Sequence, residues 1–569
     1  MIQYQSRQPE VTLHKNNSEI KLKIVHINDT HSHFEPSPLQ MHIPLNRHKT
    51  ELTAACGGYS LIDSFARKER NKAQKQEAGF LFVHAGDSFE GSVYFTCFKG
   101  RANAAVLNTM QLDAMAVGNH ELDTGDKLLA RFIDQADFPL LSANMSLKKD
   151  GGSALEKCSG RLLCSSNDHK GPAYIIKVIS GLSIAVFALS ITDMDTIASP
   201  GPAVDFSDHI SCAQSMVSEI QGAGINCIIV ISHLGYAQDK RLAEAVDGIS
   251  LIIGGHSHTL QGDFSNVGLA QETAYAQAVN NCYIVQAGHN AMAAGCAELT
   301  LTASGTIISI SGGNKLLLEK NSLTINCPAQ QYNLKAAEHY LAQQENISFE
   351  NRSDRVEKLL DTHFRPEIEH FKNDIVGHVL TSKRHLRIPD AQGGSQVAPI
   401  VAQSFLHYAR KNNKHVDFAI INAGAVRTHL LQSAVSAADI SGKLLPFAIS
   451  VQSYQISGKA LFEAINSAVK SSVDPAGSTG SYPYFSNLSM KLHSTELSDG
   501  VSKVYQHNAQ GELSDLHMDK LYSIVTTGYM SSGKGGYQAL MKKQGDVHDF
   551  GIKPAEAFTH YLRELKILL

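Results

Sequence analysis

The sequence predicts an α/β protein of two domains, and three observations carry that reading. Five short β-branched and aliphatic runs in the first three hundred residues each end abruptly in polar, metal-capable residues. Helix-like stretches with apolar residues three and four apart lie between the runs. At 569 residues and 43% hydrophobic content, the chain is too long for one ordinary core and too apolar for a disordered polymer.

In order, the five runs are LKIVHINDTHSH (22–33), GFLFVHAGDSFEGS (79–92), DAMAVGNHELD (113–123), NCIIVISHLG (226–235) and SLIIGGHSHT (250–259). Buried strands read as near-continuous apolar runs, and layered α/β folds bind ligands beyond the carboxyl ends of their strands. The five ends are therefore expected to converge on one site. Helical patterns such as GDKLLARFIDQ (125–135) and DKRLAEAVDG (239–248) complete a first α/β domain over residues 1–330. Next come AQQYNLKAAEHYLAQQ (329–344) and RVEKLLDTHFRPEIEHFKND (355–374), polar, helix-favouring and without strand-like runs. They mark a connecting helical segment over 331–372. Strand and turn signals then resume in VDFAIINAGAVR (416–427), LPFAISVQSYQISG (445–458) and YSIVTTGYMSSGKGG (522–536), with a helix at GKALFEAINSAVKSS (458–472). These define a second α/β domain over 373–569.

Lys and Arg number 50 against 54 Asp and Glu, a formal charge of −4, which argues against polymeric nucleic acid or an anionic membrane as partner. A small substrate and a monomer or weak oligomer are expected. The nine cysteines form no CxxC pair. Cys158 and Cys164 flank a polar loop and could bridge, while the cysteines in apolar runs are expected as buried thiols. The first twenty residues lack the apolar core of a secretory signal, and GLSIAVFALSI (181–191) is too short to cross a bilayer. The chain as given is therefore expected in the cytoplasm, and a processed form in the periplasm.

Asp29 and His31 stand two apart, where alternate side chains of an extended segment point the same way. Asp87 can place one carboxylate oxygen on each of two cations. Asn119 offers a neutral carbonyl oxygen, and His233, His256 and His258 offer imidazole nitrogen. This mixed oxygen and nitrogen set suits two borderline divalent cations such as Zn, Mn or Co, and the absence of cysteine argues against a structural zinc. Two such ions about 4 Å apart can clamp both oxygens of an in-line phosphoryl displacement. One such residue at a strand end is ordinarily structural, so the inference rests on five motifs together. His26, His33, His84 and His289 are read as structural or supporting residues.

NDTHSH, GDSFEG, GNHELD, SHLG and GGHSHT together resemble the metallophosphoesterase domain of the bacterial and animal 5′-nucleotidases, including the UDP-sugar hydrolases. NAGAVR (422–427) and LLPFAISV (444–451) resemble that family's C-terminal domain, in the right order. The resemblance implies a four-layered fold, a β-sandwich flanked by helices, joined by a helical segment to a nucleotide-binding domain. It implies Asp29, His31, Asp87 and His258 at one metal and Asp87, Asn119, His233 and His256 at the other, with His120 and Asp123 as the catalytic pair. A protonated His beside a transferring phosphoryl group offsets developing negative charge, and a carboxylate partner orients it and raises its pKa. Glu121 is read as a neighbour only.

For the substrate, the resemblance implies Asn422, Gly424 and Arg427 in NAGAVR, Phe447 as a first aromatic ring and Tyr529 as a second, with Arg387 or Arg384 contributing upstream. Stacking on a base is chemically sensible because every base has a π-face. The family's ribose-binding aspartate is replaced by Gly535, beside Lys534, in the turn GKGG. The activity implied is hydrolysis of nucleoside 5′-monophosphates, extending to UDP-sugars or dinucleotides. The alternatives are a 2′,3′-cyclic nucleotide phosphodiesterase with 3′-nucleotidase activity, a phosphatase for a non-nucleotide ester, and a metal-loaded binding protein without turnover.

Overall fold

The computed structural model describes residues 19–45, 48–148, 151–158, 160–165, 172–325, 334–412, 414–447, 449–474, 477–508 and 511–569. They fall into two compact units, one drawn from Met1–Glu90 and Phe98–Arg365, the other from Gly91–Cys97 and Pro366–Leu569.

In the first unit the apolar runs form two sheets. One places Ile20–Ile27 beside Gly79–His84, Ala114–Ala116 and Leu140–Ser142 in parallel, with Ile27 opposite His84 and His84 opposite Met115. The other runs Leu182–Ser190, Cys227–His233, Leu251–Gly254 and Cys282–Val285 in parallel, with Ser190 opposite His233 and Ser232 opposite Gly254. Their inner faces meet in one core: Ile24, Leu81, Val83 and Ala116 from the first pack with Ile184, Val186, Ile229, Ile231 and Ile253 from the second. Burying both faces of these strands explains why they read as unbroken hydrophobic runs. Helix Tyr59–Lys75 covers the outside of the first sheet. Helices His209–Gly222 and Tyr236–Ala245 cover the outside of the second through Met216, Val217, Ile220, Leu242 and Ala243. The result is the expected four-layered arrangement. Within each sheet the motif-bearing strands run in parallel, and the grouping of Asp29, His31, Asp87, His233, His256 and His258 brings the carboxyl ends of both sheets to one end of the sandwich.

Two features depart from the sequence reading. The segment read as purely helical contains a strand, Ile347–Glu350, which pairs in parallel with Ile307–Glu319 and buries Ile347. Helix Leu334–Ala342 packs Ala337 and Leu341 into the cluster of Met41, Leu52 and Leu316, so both belong to the first unit. A long hairpin, Ser37–Leu45 with His48–Cys56, also joins the first sheet. The eight described cysteines, Cys158 and Cys164 among them, are free thiols; Cys327, like the opening residues read for a signal, lies outside the described residues.

The second unit has a five-stranded sheet in the order Pro483–Ser486, Phe418–Asn422, Leu521–Thr527, Val451–Ser457, Gln544–Asp549. Helices Val397–Lys411 and Gly458–Ser471 bury Val401, Phe405, Leu461 and Ile465 in its core. The NAGAVR turn follows strand Phe418–Asn422, and GYMSSGKGG follows Leu521–Thr527, which pairs with it in parallel. Among the described residues no helix is long and apolar enough to cross a membrane.

Candidate active site

Three of the five loops at the carboxyl end of the sandwich carry unusual backbone. Asp29, His31, Asp87, His256 and His258 have φ of 47°, 47°, 59°, 70° and 59°, in the left-handed region that side-chain-bearing residues rarely occupy. Such strain persists only where the surroundings impose it, and it gathers at functional sites. Here the first two loops clasp each other: the N–H groups of Asp29, His31 and Ser32 donate to the carbonyls of Gly86, Asp87 and Ser88 at 3.0, 3.1 and 2.8 Å. Gly118 lets a third loop approach, since a Cβ there would lie 2.2 Å from Asp87 Oδ1.

This backbone brings all seven predicted ligands together. Asp29, His31 and His258 form one group of mutually close donors, and Asp87, His233 and His256 another. Asp87 also groups with His31 and His120, and so reaches both sides. His258 Nε2 lies 3.4 Å from Asp29 Oδ1 and 3.1 Å from His31 Nε2. His233 Nε2 lies 3.1 Å from Asp87 Oδ2 and 3.3 Å from Asn119 Oδ1, which is 3.0 Å from His256 Nδ1. The outer nitrogens face carbonyls, His233 Nδ1 at 2.6 Å from Ala85 O and His31 Nδ1 at 3.3 Å from Phe89 O. Donation there would turn each Nε2 inward as the nitrogen a metal would take, His233 giving up a proton to bind it.

The electrostatics favour a cation. Asp29 and Asp87 are buried, and among the described residues their ion-pair partners are histidines rather than Lys or Arg. Burial opposes ionisation of both carboxyls, yet the surrounding imidazoles outweigh it and hold Asp29 below, and Asp87 well below, the usual range. Burial pushes His31 and His256 down to about 4, which keeps their lone pairs available at neutral pH. Burial also opposes the charge on His233, but Asp87 and Asp29 overcome it and raise that imidazole to about 9. Buried carboxylates of this kind require compensating positive charge, and neutral imidazoles beside them are the donor set of a divalent cation. The residues present therefore fit divalent metal ions.

His120 stands at the edge of this cluster. Its N–H donates to Asp87 Oδ1 at 2.9 Å and its Nδ1 lies 2.5 Å from Asp123 Oδ2. Burial lowers its pKa, but Asp87 and Asp123 outweigh that effect and hold it well above the usual value. The neighbouring carboxylates thus favour its protonated form, positioned to donate.

Several supporting residues escaped the sequence reading. Glu121 is no mere neighbour: its carboxylate is buried and accepts from the N–H groups of Asp87, Ser88, Phe89 and Gly118. Burial and the Asp87 charge raise its pKa, and those donors work against the rise. Asn28 donates to Asp29 Oδ2 and to Gly288 O, both at 2.6 Å. Gln286 accepts from Ser257 Oγ and Thr259 N–H, which fixes the loop of His256 and His258. The only signal for these was a polar residue inside an apolar context. Of the four histidines read as supporting, His84 bonds Thr30, His33 bonds the His31 carbonyl, His289 stacks on His258, and His26 meets Tyr275.

In the second unit, Arg387, Asn422, Gly424, Arg427, Phe447 and Tyr529 line one cavity of about 250 Å³. The Arg427 guanidinium sits 5.5 Å from the centre of the Phe447 ring, and Arg387 Nη1 lies 3.4 Å from Thr479 Oγ1. Arg384 instead pairs with Asp390 and the Gly393 carbonyl and is not among the described residues lining this cavity. Gly535 borders the cavity at φ 63°, and a Cβ there would come 3.1 Å from the Tyr529 ring. Ser478, Ser481 and Thr527 add hydroxyls to the wall, with no sequence signal beyond their turn composition.

Residues 22–260 match the family model of calcineurin-like phosphoesterases, and residues 375–542 match that of the 5′-nucleotidase C-terminal domain. The chain is 26% identical over 574 residues to the NAD 5′-nucleotidase of Haemophilus influenzae, covering 96% of this chain and 90% of that protein. It is 24% identical over 571 residues to the 5′-nucleotidase of Mus musculus, covering 96% and 89%. The crystal structure of a 5′-nucleotidase precursor from Thermus thermophilus superimposes with a TM-score of 0.69 at 25% identity, covering 97% of each chain.

Proposed function

The chain belongs to the 5′-nucleotidase family, in which a calcineurin-like phosphoesterase domain precedes a 5′-nucleotidase C-terminal domain, and from that membership we propose that it hydrolyses nucleotide phosphoric esters with two divalent cations. Zn, Mn and Co suit the donor set. Nucleoside 5′-monophosphates are the leading substrates. The name of the Haemophilus influenzae relative, an NAD 5′-nucleotidase, supports dinucleotides as a second class, with UDP-sugars beside them.

The observation that carries this reading is the cluster of Asp29, His31, Asp87, Asn119, His233, His256 and His258 around one end of the sandwich, with a cationic His120 beside it. Asp29, His31 and His258 would hold one ion and Asn119, His233 and His256 the other, with Asp87 able to contribute to both. Ions bound there would supply Lewis acidity to the phosphoryl oxygens and to the attacking water. His120 donates from its ring to the phosphoryl group as negative charge develops, and Asp123 keeps the ring protonated and oriented. Arg387 and Arg427 bind anionic oxygens of the substrate. Phe447 and Tyr529 stack on the base, and Asn422 and Gly424 read its edge.

A panel of metals against substrates tests the reading. Phosphate released from AMP, UDP-glucose, NAD and 2′,3′-cyclic AMP is measured with Zn, Mn and Co. Turnover of AMP with a transition metal is expected, and turnover of the cyclic nucleotide alone would replace the reading with a phosphodiesterase.

A further inference from the structure

Glu121 is the only side chain bonded to four backbone N–H groups around Asp87 among the described residues. Its Oε1 accepts from Ser88 at 2.7 Å and Phe89 at 3.2 Å, and its Oε2 accepts from Asp87 at 2.8 Å and Gly118 at 2.9 Å. Three of the donors are consecutive, and the fourth precedes Asn119. One carboxylate thus ties the loop that carries Asp87 to the loop that carries Asn119 and His120.

We propose that Glu121 is a positioning residue that holds Asp87 in its bridging geometry before any cation arrives. Asp87 occupies left-handed backbone at φ 59°, uncommon for a residue with a side chain though better tolerated by aspartate than by most, so the loop needs support to hold it there. Successive N–H groups turned toward one point form a concavity for an anion. A carboxylate offers lone pairs on both oxygens, enough for four donors, whereas an amide offers one accepting oxygen and a donating nitrogen. Glu121→Gln, nearly the same size, therefore sets an NH₂ against two of the four N–H groups. The loop then loses the clamp that directs the Asp87 carboxylate at both ligand groups. Groups behind the ligands commonly set metal affinity in this way.

The inference rests on the dimetal reading, and the test separates the two. Metal binding to the stripped protein is followed by calorimetry, and amide exchange over 87–89 and 118 is followed by mass spectrometry with and without metal. In the wild type those amides are expected to be protected equally in both states, since the clamp precedes the cation. In Glu121→Gln the affinity for metal is expected to fall by about ten- to a hundredfold, with wild-type kcat regained at saturating metal. A purely structural role would lower the melting temperature and leave affinity unchanged, which overturns the inference. Protection that develops only after metal is added overturns it as well, and needs no folded variant. A wild-type protein that binds no metal refutes the dimetal reading instead.

Discussion

His120 Nδ1 lies 2.5 Å from Asp123 Oδ2, and the same ring holds its Nε2 3.8 Å from the Asp87 carboxylate. One imidazole thus joins a carboxylate that orients it to a carboxylate of the metal cluster. Replacing His120 with Ala is expected to cut kcat by about 10² to 10³ while the protein keeps its metal. Elemental analysis beside turnover checks this, and metal loss matching the activity loss contradicts the role.

The same pair sets a pH dependence. Burial works against the imidazolium, and Asp87 and Asp123 overcome it, so the charged form persists at neutral pH and is lost as pH rises through the raised pKa. Asp123→Asn removes one of the charges that raise it. The alkaline limb of the kcat profile should then move to lower pH, and an unmoved limb would assign that limb to another group.

Asp87 groups with His233 and His256 on one side and with His31 on the other. Asp87→Ala should therefore release both ions, whereas Asn119→Ala should weaken one. Metal content after gel filtration distinguishes them.

The strand ends were legible because each candidate ligand follows an apolar run that reads as a buried strand, and the donor chemistry is local to such motifs. His120 and Asp123 were legible for the same reason, being three residues apart in one turn. Glu121, Asn28 and Gln286 were not, because, apart from Gly118 for Glu121 and Asp29 for Asn28, the partners named above lie 32 to 34, 259 to 260 and 27 to 29 residues away and exist only once the strands align. Strand Ile347–Glu350 was hidden likewise: four residues in a helix-favouring stretch become a strand through the edge offered by Ile307–Glu319. That Arg387 and not Arg384 lines the cavity was likewise hidden, because Asp390, which pairs with Arg384, reaches it only through a fold-dependent turn.

Stacking by Phe447 and Tyr529 predicts that either ring's replacement by Leu raises KM for AMP while metal content stays constant. Each stack is worth ~1 to 3 kcal/mol. Steady-state kinetics of the two variants measure it, and an unchanged KM places the base elsewhere.

Among the described residues lining that cavity none is a carboxylate, and Gly535 stands where the turn approaches Tyr529. An unpaired hydroxyl costs ~1 to 3 kcal/mol, so a site without that acceptor should favour AMP over dAMP by less than about tenfold in kcat/KM. Gly535→Asp adds an acceptor but crowds the Tyr529 ring, so its higher ratio should come with a higher KM for both. A wild-type preference well above tenfold would show that the serine and threonine hydroxyls read the ribose.

The most direct test titrates Mn into chelator-stripped protein and follows bound metal and phosphate released from AMP in the same samples. Negligible turnover without metal and full turnover only as two equivalents bind are the predicted results. Stripped protein that hydrolyses AMP as fast as the reconstituted enzyme would contradict the dimetal mechanism.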